Sequence, residues 1–387
     1  MVVDIRGRAV NAMPHSIIPL LEAMKKLQAS DLHMKTGIPP TYRIGGSLRR
    51  SDLPAFRADG GEIESLMEPI IPKRRAAVFA ERGALDFAYH LPDGDRFRIN
   101  VMRAGDHMHA AIRRVKGEIP NFEELHLPPV YAKLAEETNE GLVLVCGVTG
   151  CGKSTTMAAM IDHINALQNV HIISIEDPVE YAFHPKKAIV SQREIGLDLE
   201  SFADGLRSAV RQDPDVIFVG ELRDRETVLA ALQAAETGHL VFGTLHTADT
   251  MQSLTRMLEF FPREQHDFVR SAIANSVKAI TAQRLLPAVN PAILRVPATE
   301  VLLGDPIVKE KIRTGEDNDL PEIIAGNRQS GMHSFTMSLA ELVEKDLVYM
   351  DTALEYAPNR EQLVGQIRGI KTSAQTLVHR IKRSGPS

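Results

Sequence analysis

The chain reads as an α/β protein of two domains, the second built on a parallel sheet buried on both faces. Three features point there: the length, a series of short apolar runs set between helical segments, and a glycine-rich loop joining a strand to a helix. At roughly 150 residues per domain, 387 residues make two or three domains. Hydrophobic residues at 44% and charged residues at 25% suit packed cores and exclude disordered, collagen-like and disulfide-scaffold chains. Basic residues number 45 against 50 acidic ones, a net charge of −5. A duplex-binding domain is strongly basic, so DNA is disfavoured as the principal partner. The two cysteines, Cys146 and Cys151, share one short segment and cannot build a paired-CxxC zinc site. An unstapled chain of this size fits a reducing cytosol. The first residues lack the apolar core of a signal peptide, and no run approaches the ~18 apolar residues of a membrane span. A soluble cytosolic protein is expected.

The first third reads as a small α/β module. Ile18, Leu21, Met24 and Leu27 recur at helical spacing, and Ser30 and Asp31 follow as turn or cap residues. Gly37-Ile38-Pro39-Pro40 breaks the chain, and Tyr42-Arg43-Ile44 runs as a strand into Gly45-Gly46. Phe87-Ala88-Tyr89 and Arg96 to Val101 flank Pro92-Asp93-Gly94-Asp95 as a hairpin. Phe97, Ile99 and Val101 should share one face of it, with Arg96, Arg98 and Asn100 on the other.

Lys116 to Pro120 and Pro128-Pro129 punctuate the chain, giving a first domain at 1–119, a linker at 120–129 and a second domain at 130–387. In the second, Leu142 to Cys146, Ile172 to Ile175, Val216 to Val219 and Leu240 to Leu245 are continuous apolar strands between helices, the pattern of a parallel sheet. Beyond about Leu302 the chain turns helical, with Leu339, Leu342 and Val343 at core spacing.

Gly147-Val148-Thr149-Gly150-Cys151-Gly152-Lys153-Ser154 fits the phosphate-loop pattern, and it follows a strand and opens a helix near Ser154-Thr155-Thr156. Gly147, Gly150 and Gly152 let backbone N–H groups, with those of Thr149, Cys151 and Thr155, turn around phosphate oxygens at a helix N-terminus. Lys153 would reach the β- and γ-phosphates of ATP, and the Ser154 hydroxyl would ligate Mg²⁺. Cys151 is either a reactive thiol or simply a small loop residue.

Asp215 to Glu221 is a buried strand whose end faces the ligand crevice of an open α/β sheet. Glu221 is placed there to deprotonate water against the γ-phosphate or to act through Mg²⁺. Glu176-Asp177-Pro178-Val179-Glu180 ends the preceding strand; it is either a three-carboxylate aid to Mg²⁺ and water or a solvated acidic turn. His239 and His246 bracket another strand, and their opposite faces disfavour a shared metal. One could be a hydrogen-bonding switch near phosphate, the other a core histidine. Arg207 and Arg211 would share a helix face, and they, Arg98 or Arg113 could stabilise γ-phosphate charge or be surface residues.

In this order the elements resemble the secretion-type ring ATPases, specifically the type IV pilus retraction ATPases of the PilT and PilU kind. Ser30-Asp31-Leu32-His33 with Gly37 to Pro40, and Arg96 to Asn100, look like that family's N-terminal domain. Ile175 to Glu180 resembles its Asp box, Arg207 through Arg211 to Glu221 its Walker B region, and Ala235-Glu236-Thr237-Gly238-His239 through Leu245-His246-Thr247 its His box. The resemblance implies an N-terminal PAS-like domain, a RecA-like P-loop ATPase domain with a helical C-terminal extension, and Mg-ATP hydrolysis in a homohexameric ring. By motif position it makes Glu221 the general base, Glu180 an Asp-box acid and Mg²⁺ neighbour with Ser154, His239 and His246 His-box residues, and Arg98 and Arg113 phosphate sensors.

The implied partners are an inner-membrane pilus platform protein and a paralogous retraction ATPase. Membrane association would be peripheral, through partners, at the cytoplasmic face of the inner membrane; no nucleic acid is expected. Assembly and type II secretion relatives carry a tetracysteine zinc module and a further N-terminal domain. Two cysteines at the phosphate loop and a short N-terminal region favour retraction. The family's AIRNLIREG segment is replaced by Pro306 to Arg313, and Gly331 to Phe335 with Leu354 to Ala357 look more like the PilU branch. An assembly or secretion ATPase, a RecA-like nucleic-acid translocase and a nucleotide-binding regulator are the alternatives.

Overall fold

The computed structural model describes residues 13–57, 61–92, 95–115 and 117–369. The chain forms two compact units, Met1–Glu118 with Glu180–His184, and Ile119–Val179 with Pro185–Ser387. The first boundary falls beside the expected linker, whose residues 120–129 sit in the second unit. The return of Glu180–His184 to the first unit has no signal in the sequence, because it depends on contacts far apart along the chain.

The first unit is a six-stranded antiparallel sheet with helices on one face. Its strands are β1 (Asp31–Met34), β2 (Thr41–Ile44), β3 (Ser47–Arg50), β4 (Ala84–His90), β5 (Arg96–Ala104) and β6 (His107–Val115), in the order β3-β2-β1-β6-β5-β4. Helix Ile18–Lys26 buries Leu20, Leu21 and Met24 in the core beside Leu32, Phe97, Ile99, Val101 and Ile112. Each such side chain, fully buried, contributes about 1.5–3 kcal/mol. The expected hairpin is β4 paired with β5; residues 93 and 94 of its turn, like Lys116, lie outside the described residues. The alternation holds for Phe97, Ile99 and Val101, whereas Arg96 is buried with them despite its opposite parity.

Asp31 departs from its expected turn and begins β1. Cross-strand pairing overrides its turn preference: Asp31 faces Arg43 on β2 and Arg113 on β6, and Arg113 faces Arg98 on β5. The Arg113 Nε donates to Asp31 Oδ1 at 2.9 Å, with Arg43 Nε 3.6 Å from the other oxygen. Burial pushes the Asp31 carboxyl up, but the Ser30 hydroxyl and Arg113 outweigh it and hold it below its ordinary value.

The second unit is built on β7 (Gly141–Cys146), β8 (His171–Glu176), β9 (Ile189–Glu194), β10 (Val216–Val219), β11 (Leu240–Leu245), β12 (Val277–Pro287) and β13 (Arg295–Leu303). Their order is β13-β12-β7-β11-β10-β8-β9, parallel throughout except for β13. The four apolar runs are β7, β8, β10 and β11, and every residue of β7, β10 and β11 is buried. β9, β12 and β13 escaped the apolar-run signal. β12 carries Lys278, Thr281, Gln283 and Arg284, and β9 carries Ser191, Gln192 and Arg193. After β13 come the helices Pro306–Thr314, Leu320–Gly326, Phe335–Glu344, Met350–Tyr356 and Arg360–Ile367, with Leu339 and Leu342 buried and Val343 packed against the core. Because β7, β8, β10 and β11 run parallel, the segments after them emerge at one edge of the sheet.

Candidate active site

The phosphate loop runs from the end of β7 into the helix Lys153–Leu167. At Gly147, φ is +153°, and an added Cβ would stand 2.3 Å from Cys151 Sγ and 2.7 Å from the Gln283 carbonyl oxygen. Only glycine closes the loop this tightly. Thr149, Gly150 and Ser154 are exposed on it, with Gly152 and Thr155 half-buried.

Beneath the loop stands Gln283 of β12, which sequence reasoning missed. Its Nε2 donates to the Cys151 carbonyl at 2.7 Å, and its Oε1 accepts from the Thr156 hydroxyl at 2.9 Å. One buried amide thus ties the loop to the first turn of its helix. A lone glutamine within an unrecognised strand carries no signal of this kind.

Lys153 is buried, and its ammonium donates to the Gly147 carbonyl at 2.7 Å and lies 3.4 Å from that of Val148. Burial lowers its pKa against the opposing pull of Cys151, Cys146 and Glu221. A buried cation held by carbonyls has a strong electrostatic preference for an anion at the loop mouth. Cys151 is buried and its thiol is pushed up by burial, while Cys146 is pushed up to about 11. Burial disfavours the thiolate at both positions, which fits Cys151 as a small packed loop residue.

Glu221 is fixed by its neighbours. Gly220 N–H donates to the Ile175 carbonyl at 2.8 Å, and Leu222 N–H to that of Thr244 at 2.9 Å. The Thr244 hydroxyl donates to the Gly220 carbonyl. A Cβ on Gly220 would lie 3.3 Å from the Glu176 Cα, so glycine allows the close approach to β8. With Leu222 turned into the core, Glu221 reaches the crevice. There His246, following β11, has Nε2 3.7 Å from Glu221 Oε1 and Nδ1 3.4 Å from Thr149 Oγ1. The phosphate loop, His246 and Glu221 are thereby in one place, the arrangement required to hold a phosphate and a water beside it.

The acidic run does not form a three-carboxylate cluster. Glu176 is buried, accepting from the Ser174 hydroxyl at 2.7 Å and the Gln192 amide at 3.0 Å. Asp177 is exposed and paired with Arg223 at 3.5 Å, and Glu180 is exposed in the first unit. Among the described residues no group of three His, Cys, Asp or Glu could hold a metal ion.

His239 stands just before β11, at the end opposite His246, and is not brought to the crevice. Its Nδ1 lies 3.0 Å from the Ala234 carbonyl and 3.2 Å from the Thr237 hydroxyl. The seven-residue separation that gave the two rings opposite faces also gives them opposite ends of the strand. Arg207 and Arg211 do not share a helix face: the helix Phe202–Ala209 ends between them, ahead of Asp213-Pro214. Arg207 pairs with Asp204 and Glu226, while Arg211 donates to the Arg207 carbonyl. In the first unit Arg98 lies opposite Arg113, 3.9 Å from Asp86.

Residues 95–319 match the family model described as type II/IV secretion system protein. The type IV pilus retraction ATPase PilT of Pseudomonas aeruginosa is 38% identical over 341 residues, 88% of this chain and 98% of that protein. A twitching motility protein of Neisseria gonorrhoeae is 38% identical over 324 residues, 84% of this chain and 86% of its own. Among solved structures, the pilus retraction motor PilT with bound ADP superposes with a TM-score of 0.80 at 39% identity, covering 90% of this chain and 98% of that one.

Proposed function

From its membership of the type II/IV secretion system protein family, to which the chain belongs, we propose that it is an ATP-hydrolysing motor of type IV pilus retraction. The second unit is the family's RecA-like ATPase domain, and the first is its PAS-like α/β domain. One observation carries the chemistry: Glu221, His246 and Thr149 of the phosphate loop meet at a single sheet edge. The retraction assignment rests on the near full-length similarity to PilT.

When ATP enters, the loop N–H groups of residues 147–155 take its phosphates, and Lys153 exchanges the Gly147 carbonyl for the β- and γ-phosphate oxygens. Glu221 accepts the proton of the attacking water, and His246 holds Glu221 and Thr149 in register for that transfer. A nucleotide-bound Mg²⁺ needs only one or two protein oxygens besides phosphate and water. The exposed Ser154 hydroxyl at the helix start, with Glu221 of the same unit, would supply that donor set. Mg²⁺ supplies neutralisation of phosphate charge when bound.

The working form is a homohexamer with the motor domain over 130–387 and a connecting segment at 120–129. Arg98 and Arg113 of the first domain sense the phosphate state, with Asp31 and Asp86 as their counter-ions at rest. It acts on an inner-membrane pilus platform protein at the cytoplasmic face of that membrane, alone or with a paralogous retraction ATPase. Among the described residues no helix is long and apolar enough to cross a membrane, and the net charge of −5 disfavours nucleic acid. Deleting the gene and counting surface pili tests the assignment. Retraction predicts cells that keep their pili, in excess, and lose twitching; cells without pili would show an assembly motor instead.

A further inference from the structure

A cavity of about 530 Å³ borders the catalytic pair on a side that carries no phosphate-loop residue. Glu221 and His246 line it, so these two side chains form a wall common to the cavity and the crevice. Two guanidinium groups also line it, Arg223 and Arg256. Each is posed on an aromatic face beside an acid. Arg223 lies over Phe202 at 5.1 Å with Asp177 at 3.5 Å; Arg256 lies over Phe260 at 4.6 Å with Glu259 at 3.0 Å. Glu221 and Arg223 both line the cavity, and the side chain of Leu222 between them is buried.

We propose that this cavity is the exit path for inorganic phosphate after ATP cleavage, with Arg223 as its receiving group. The proposal rests on ATP hydrolysis at the phosphate loop. After cleavage the ADP still fills the loop, so the free phosphate must leave past the side that faced the attacking water, where Glu221 and His246 stand. The contact between these two is loose, 3.7 Å rather than a tight hydrogen bond, and both side chains are partly exposed. A guanidinium two residues beyond Glu221 offers the departing oxygens a planar pair of donors. The cavity's two arginines are balanced by Glu221 and Glu259, so the lining has no net charge. Such a lining admits a phosphate without retaining it. Arg223 must exchange Asp177 for phosphate to do this, and its partial exposure leaves that exchange open.

Transient kinetics on the full chain tests the path, comparing acid-quenched total phosphate with free phosphate reported by a fluorescent phosphate-binding protein. In Arg223→Ala, cleavage should stay near the wild-type rate while release slows about tenfold or more, the loss of one charge-assisted hydrogen bond. Cleaved but unreleased phosphate would then accumulate as a burst. Arg223→Lys should recover part of the release rate. Arg256→Ala is the second variant, and it should also slow release without slowing cleavage. Release unchanged in both alanine variants, or cleavage and release slowed together, overturns the proposal. A wild-type protein that cleaves no ATP would instead remove the enzymatic premise, which the same quench measurement reads separately.

Discussion

His246 Nε2 lies 3.7 Å from Glu221 Oε1, and the other nitrogen of the same ring lies 3.4 Å from the hydroxyl of Thr149. One imidazole therefore spans from the carboxylate after β10 to the loop after β7. It touches the groups that would hold water and phosphate without being held in a core.

Removing that ring should impair turnover more than binding. In His246→Ala, kcat should fall about 10- to 100-fold, the cost of mispositioning a reacting group, while KM for ATP changes little. Steady-state hydrolysis across ATP concentrations reads the two separately. An equal rise in KM with kcat preserved would mean that His246 serves binding only.

Gln283 supports the loop from below. Gln283→Leu keeps the volume but strands the Cys151 carbonyl and the Thr156 hydroxyl, a loss of about 1–3 kcal/mol. The denaturation midpoint should drop accordingly, and titration with a fluorescent ADP analogue should show weaker binding. Unchanged affinity in a destabilised variant would confine Gln283 to folding.

The ring of His333 supplies a pH dependence. Its Nδ1–H donates to the Gly331 carbonyl at 3.1 Å, which leaves Nε2 to accept from Thr299 Oγ1 at 2.8 Å. Burial lowers its pKa below the ordinary value. A depressed folded pKa means that the unfolded chain binds the proton first. Stability from the neutral ring is thus present above the unfolded pKa of about 6.5 and lost as pH falls through the folded value. Wild type should lose denaturation midpoint more steeply than His333→Asn between about pH 7 and about pH 5. Parallel slopes would remove His333 as the cause.

Much of this was legible in the chain. The phosphate loop and the strand leading to Glu221 could be read because each is a local pattern, a glycine spacing and a four-residue apolar run; two histidines bracketing the next strand could also be read, but not which of them meets the loop. The parallel order then carries their ends to one edge. What could not be read depends on pairing between distant segments. Asp31 looks like a turn residue until Arg43 and Arg113 flank it, and Gln283 looks ordinary until β12 is laid beside β7. His239 is a candidate by motif position, and Arg211 by its four-residue spacing from Arg207. The strand's length and the helix's end at Ala209 separate them from His246 and Arg207.

ATP turnover by purified Glu221→Gln tests the central claim most directly, with binding of a fluorescent ATP analogue measured on the same sample. If Glu221 takes the proton from water, affinity should stay within about twofold while hydrolysis falls about 10²- to 10⁴-fold, the range of a lost general base. Hydrolysis retained near the wild-type rate would contradict it.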